Sequence, residues 1–160
     1  MFLSFELLPE NAKVWVYPSS RKFYKNEIPE ILAKVDEFVG NWKKYDEDFK
    51  ASFKIEYDRF IVFAADDSKS LLTIPELDAL ISFILQLQFE YAVELLDKMN
   101  VCFKQGEFVQ YKEIKEFKKL LKNKSVSKTT IVFDNLIQTK FDLENHWEVP
   151  ITDSWYNRFL

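Results

Sequence analysis

At 160 residues, with 48% hydrophobic and 17% aromatic content, the chain carries enough apolar side chain to build the core of one ordinary domain. A net charge of -4 argues against a surface given over wholly to nucleic acid. The most apolar stretch, Ile74 to Leu87, is interrupted by Glu76, Asp78, Ser82 and Gln86, well short of the ~20 apolar residues that a membrane span needs.

The N-terminal MFLSFELLPE has no basic region and meets Glu6 and Pro9 before a signal-length apolar run develops, so the sequence reads as cytoplasmic. Lys13-Val-Trp-Val-Tyr17 is apolar on both faces and ends at Pro18, which predicts a buried central strand. Ile31, Leu32, Val35, Phe38, Val39, Trp42 and Tyr45 fall on one stripe of a helix, with Asn26 placed to cap it and Pro29 in its tolerant first turn. Gly40 lies inside this pattern and suggests close packing or a helix irregularity. From Phe49 to Asp58 apolar and polar residues alternate, and Arg59 to Ala65 is nearly all apolar. The two runs predict an antiparallel hairpin reversing near Asp58 and Arg59.

Thr73 and Glu76 have capping-box spacing, and the apolar positions from Leu77 to Leu96 predict a long, heavily buried helix. Val101 to Lys104 and Glu107 to Gln110 flank Gln105-Gly106 as a second hairpin, in which Cys102, without a disulfide partner, acts as a small hydrophobe. A short amphipathic helix with Ile114, Phe117, Leu120 and Leu121 follows, then a strand at Thr129 to Phe133. The last stretch, Asn135 to Leu160, follows neither period. Its large aromatics among Asp, Asn, Thr and Arg point to an ordered tail packed on the core or to a recognition surface.

The order strand, helix, strand, strand, helix, strand matches the split βαβ plan of ferredoxin-like folds, with a hairpin, helix and strand appended. The expected fold is α+β, mainly antiparallel, with two long helices on the sheet. The chain reads as one domain, 1–160; a boundary near Lys98 to Asn100 would divide it into lobes 1–99 and 100–160, although no linker composition marks it.

A phosphate loop needs clustered glycines so that backbone N–H groups can wrap the phosphates, and Gly40 and Gly106 stand far apart with no Lys-Ser or Lys-Thr after either. A P-loop ATPase is excluded on that ground. One histidine, His146, and one cysteine give zinc chemistry too few ligands, and no cofactor motif is present. The remaining catalytic candidates are Asp66 and Asp67 at the end of an apolar strand, where carboxylates could hold Mg²⁺ or share a proton if the chain turned to bring them together. Lys112, Lys115, Lys118, Lys119, Lys122, Lys124 and Lys128, offset by Glu113 and Glu116, could attract phosphate or an acidic partner, but the Arg and exposed aromatics that usually accompany base recognition are missing.

Asn135-Leu-Ile-Gln-Thr-Lys140, Leu143-Glu144, Trp147-Glu-Val-Pro150 and Asp153-Ser-Trp-Tyr-Asn-Arg-Phe-Leu160 resemble the ending of a family of small uncharacterised bacterial proteins often labelled "ABC transporter ATPase". The resemblance extends through Val14-Trp-Val-Tyr17 and Tyr57-Asp-Arg-Phe60. The activity in that label needs the phosphate loop that this chain lacks. Val101 to Pro150, with its Gly106 hairpin, helix, Thr130-Ile-Val-Phe133 strand and Trp147, also resembles divergent GYF-type modules, though without the Gly-Tyr-Phe triplet. This second resemblance implies an interaction surface for a protein or peptide. The candidate binding residues are Trp147, Asp153, Trp155 and Arg158.

Overall fold

A computed structural model describes residues 2–160 of the chain, an α+β arrangement. In order the elements are β1 (Lys13–Pro18), α1 (Glu27–Asn41), β2 (Lys50–Glu56), β3 (Phe60–Asp66), α2 (Ile74–Tyr91), β4 (Val101–Gln105), β5 (Phe108–Lys112), α3 (Ile114–Lys122), β6 (Ile131–Phe133), α4 (Lys140–His146) and β7 (Glu148–Pro150). Short 3-10 turns occupy Phe5–Leu7, Ile151–Asp153 and Trp155–Phe159.

The first sheet has the order β1-β3-β2 and is antiparallel throughout, so β3 inserts between the two strands that α1 connects. The expected fourth strand is placed elsewhere: β4 joins a second antiparallel sheet of order β5-β4-β6-β7. The reason lies at the end of α2. Ala92 takes a left-handed conformation (φ 51°) that ends the helix, and the Gln88 carboxamide oxygen accepts from Leu95 N (2.7 Å) and Leu96 N (2.9 Å), so residues 92–96 form a loop rather than further helix. The edge of β1 that a fourth strand would have covered is met by residues 138–139 instead, with Val14 N donating to Gln138 O at 3.0 Å.

Alternation along the strands sorts side chains into three apolar clusters. Ile61, Phe63 and Ala65 face α1 and α2; Val14, Val16, Phe60, Val62 and Ala64 face the second sheet, where Cys102, Phe133 and Trp147 meet them. Val101, Phe103, Val132 and Val149 face the opposite way, towards Phe117 of α3 and Ile151 and Tyr156 of the tail. Four layers result: helices, sheet, sheet, then helix with tail. The middle cluster draws on both sides of Lys98 to Asn100, so the two stretches share one interior.

Several local expectations change. Asn26 makes no side-chain capping bond; the Glu27 carboxylate instead accepts from Tyr24 N at 2.8 Å, in the turn that precedes the helix. The helix ends at Asn41, leaving Tyr45 exposed, and a Cβ added at Gly40 would meet nothing within 4 Å, so no close packing explains that glycine. α2 is half-exposed rather than heavily buried: Leu80, Ile84, Leu87 and Tyr91 are buried, whereas Ile74, Ile81, Leu85 and Phe89 are exposed, Phe89 at 90%.

The first hairpin reverses at Tyr57 and Asp58, both left-handed (φ 55° and 51°), which is rare for an aromatic residue. Its contacts compensate. The Tyr57 ring lies 5.3 Å from Phe133 and 6.3 Å from Trp147 between centroids, and its hydroxyl donates to Glu148 Oε1 at 2.7 Å. Lys104 pairs with the same carboxylate, so one hairpin tip ties the first sheet to the second.

Candidate functional site

The tail divides its aromatics by the pitch of two short 3-10 turns. Ser154 separates them, its hydroxyl donating to Ile151 O (2.8 Å) and accepting from Tyr156 N (3.1 Å). Tyr156 turns inward against Phe117, 5.8 Å between centroids, while Trp155 and Phe159 remain half-buried. Arg158 lies over Trp155, with its guanidinium carbon 4.0 Å from the ring centroid and Nε donating to Trp155 O at 3.0 Å. That contact holds a cation over an aromatic face at the protein surface.

Beside this contact runs a groove of about 560 Å³ between α3 and the end of the tail. Leu121, Val126 and Phe159 supply its apolar surface, and Lys118, Lys122, Lys124 and Lys128 supply its charge. Lys118 Nζ stands 4.5 Å from the Phe159 ring centroid. All four lysines are exposed, and none has an ion-pair partner among the described residues. The local field is therefore positive although the chain is net negative.

The other sequence candidates fall elsewhere. Trp147 is only 4% exposed; its Nε1 donates to Asn135 Oδ1 at 2.8 Å, and it packs on Phe60 and Phe133, so it belongs to the core between the sheets rather than to an outer face. Asp153 is exposed, beyond the residues that line the groove. Asp66 and Asp67 do not share a partner. Asp66 Oδ1 accepts from Ser68 N (3.1 Å) and Ser68 Oγ (2.7 Å) as an ordinary turn, and Asp67 pairs with Lys13 at 2.8 Å. Among the described residues no group of three or more His, Cys, Asp and Glu could hold a metal ion. His146 is exposed near Phe141. Cys102 is fully buried, and burial pushes its thiol up to about 12, which makes it an inert apolar side chain at neutral pH.

Sequence reasoning identified the lysines and the tail aromatics separately but not their junction, because Leu121 and Phe159 are far apart in the chain and meet only through the docking of Tyr156. It also missed Lys140, which is buried; its ammonium donates to Leu8 O (2.8 Å) and Glu6 O (3.1 Å) and binds the N-terminal segment to α4. No helix among the described residues is long and apolar enough to cross a membrane. Comparison with family models, curated proteins and solved structures finds no match to this chain.

Proposed function

We propose that the protein is a cytoplasmic interaction module that docks an acidic segment of another protein, carrying apolar anchors, in the groove between α3 and the C-terminal aromatics. The observation that carries this reading is the unneutralised set of Lys118, Lys122, Lys124 and Lys128 around the apolar surface of Leu121 and Phe159. Carboxylates of a partner would meet four unpaired ammonium groups, and a leucine or phenylalanine side chain would cover the floor. Trp155 and Arg158 extend the surface with an aromatic and a cation, both types enriched where binding energy concentrates. The resemblance of the tail to the small bacterial family is part of this proposal as to origin and adds no nucleotide chemistry.

The test is fluorescence anisotropy with a labelled peptide of alternating Glu, Leu, Asp and Phe, compared with the same peptide bearing Ser at every acid. The acidic peptide should bind, weaken with added salt, and lose at least about tenfold in affinity to a Lys122→Glu, Lys124→Glu double variant, the loss of one or two charge pairs. Equal affinity for the two peptides, or unchanged binding by the variant, would defeat the proposal. Competition by single-stranded DNA at physiological salt would instead assign the lysines to nucleic acid.

A further inference from the structure

The two outer layers of the molecule carry opposite chemistry. On one, Ile81, Leu85 and Phe89 follow one another at intervals of four along α2 and lie exposed as an apolar stripe. Residues 74–97 contain five acids (Glu76, Asp78, Glu90, Glu94 and Asp97) and no lysine or arginine. Glu76 and Glu90 pair with Lys43 and Lys34. Asp78, Glu94 and Asp97 are exposed and have no ion pair among the described residues. Asp78 stands three residues before Ile81 and so beside it on the helix surface. At the other end, the Gln88 carboxamide accepts from Leu95 N and Leu96 N and holds the loop that carries Glu94 and Asp97 beside the last turns of α2. The stripe is thus an apolar surface with unpaired acids at both ends.

On the opposite outer layer, the groove between α3 and the tail has the inverse pattern. Leu121, Val126 and Phe159 give it apolar surface, and four lysines without ion-pair partners surround them. What covers α2 follows from charge. An anionic lipid surface attracts an amphipathic helix through lysine and arginine, of which α2 has none. Two α2 stripes set against each other would bury apolar surface but leave the acids at their ends without cations. The lysine groove meets both the apolar stripe and its acids.

We propose that the occupant of the lysine groove is the α2 stripe of a second copy of this chain, with Phe89 seated on Leu121 and Phe159 and with Asp78, Glu94 and Asp97 meeting the lysines around them. The proposal rests on the reading of the groove as a site for an acidic, apolar segment, and it names the partner. Because stripe and groove lie on opposite outer layers, the contact is heterologous, and each copy keeps a free groove or a free stripe for the next. The product is a head-to-tail row or ring of copies rather than a two-fold dimer.

Sedimentation of the full chain at about 100 μM, enough to fill sites of micromolar affinity, tests this. The parent should form species larger than a dimer. Phe89→Lys sets a cation against the groove lysines, and Lys122→Glu with Lys124→Glu reverses two groove charges. All three positions are exposed, so each variant should weaken association at least about tenfold while the urea midpoint of the dilute chain stays unchanged. Mixed in equal amounts, the two variants retain one intact groove and one intact stripe between them, and they should recover a complex that stops at one copy of each. A parent that sediments as a monomer would overturn the proposal, as would a mixture that fails to associate. Parental association by the groove variant alone would assign the contact to paired α2 faces and overturn it too. The acidic peptide separates this inference from the reading beneath it. Peptide binding by a chain that stays monomeric defeats self-docking and leaves the groove to another protein, whereas absence of both defeats the two together.

Discussion

Glu27 sits in the first turn of α1 with only 8% of its surface exposed, and both carboxylate oxygens are engaged by one guanidinium, at 2.9 Å to Arg21 Nη1 and 3.0 Å to Nη2. Arg21 holds the Glu27 carboxyl below its ordinary value, helped by the Tyr24 amide and opposed by burial. Because the native value is depressed, the stability this pair contributes is present in full above the unfolded carboxyl value of about 4.3 and is lost as pH falls through the native one. Arg21→Ala should therefore lower stability at neutral pH by roughly 1.5 to 3 kcal/mol, the usual range for hydrogen bonds to a charged group. The difference from the parent should narrow in acid. It should not vanish, since Arg21 Nη2 also donates to Tyr91 O at 2.8 Å, a bond that does not titrate. Urea melts at neutral and strongly acid pH check this; a gap that stays constant with pH would show that Glu27 is not the titrating partner.

Among the elements, the C-terminal 3-10 turns and α2 depart furthest from simple amphipathic behaviour. The tail covers Phe117 with Tyr156, which is 4% exposed. Removing Asp153 to Leu160 should cost at least about 1.5 to 3 kcal/mol for Tyr156 alone, a large part of the roughly 5 to 15 kcal/mol that holds a domain of this size. His146→Ala, at an exposed position in the last turn of α4, should change stability by less than about 1 kcal/mol. Denaturant midpoints and slopes for the two variants would separate these outcomes, and a truncated protein that melts like the parent would release the tail from the core. α2 illustrates the opposite case. Its apolar residues occupy more of the helix surface than the first sheet and α1 can cover, so Leu80, Ile84 and Leu87 are buried while Ile81, Leu85 and Phe89 face outward.

Across the whole molecule, two sheets share one interior and each of their outer faces carries helices, an arrangement without a glycine-rich turn at a helix start. Gly40 lies within α1, and Gly106 (φ 59°) serves the β4–β5 turn. Isothermal calorimetry with Mg²⁺-ATP should accordingly show no saturable binding, and micromolar affinity would restore the family label that the glycine count speaks against. Most of the strands, the two hairpins, the first three helices and the buried role of Cys102 were legible from residue order, because strand and helix periods are local and repeat within a few residues; β1, expected as a central strand, instead lies at the edge of its sheet, where residues 138–139 meet it. α4 and β7 were not, since elements of 7 and 3 residues are too short to show a period. Pairing partners were hidden for a different reason. A strand such as β4 can bury Val101 and Phe103 on one face and Cys102 on the other in either sheet, and the choice turns on where α2 ends, on residues 138–139 reaching the edge of β1, and on Trp147 filling the space between Phe60 and Phe133. The lysine groove depends on the same kind of fact: residue order supplied its charges and its aromatics, but only burial of Tyr156 against Phe117 sets them side by side, because side chains distant in the chain become neighbours through the packing of the whole core rather than through any local rule.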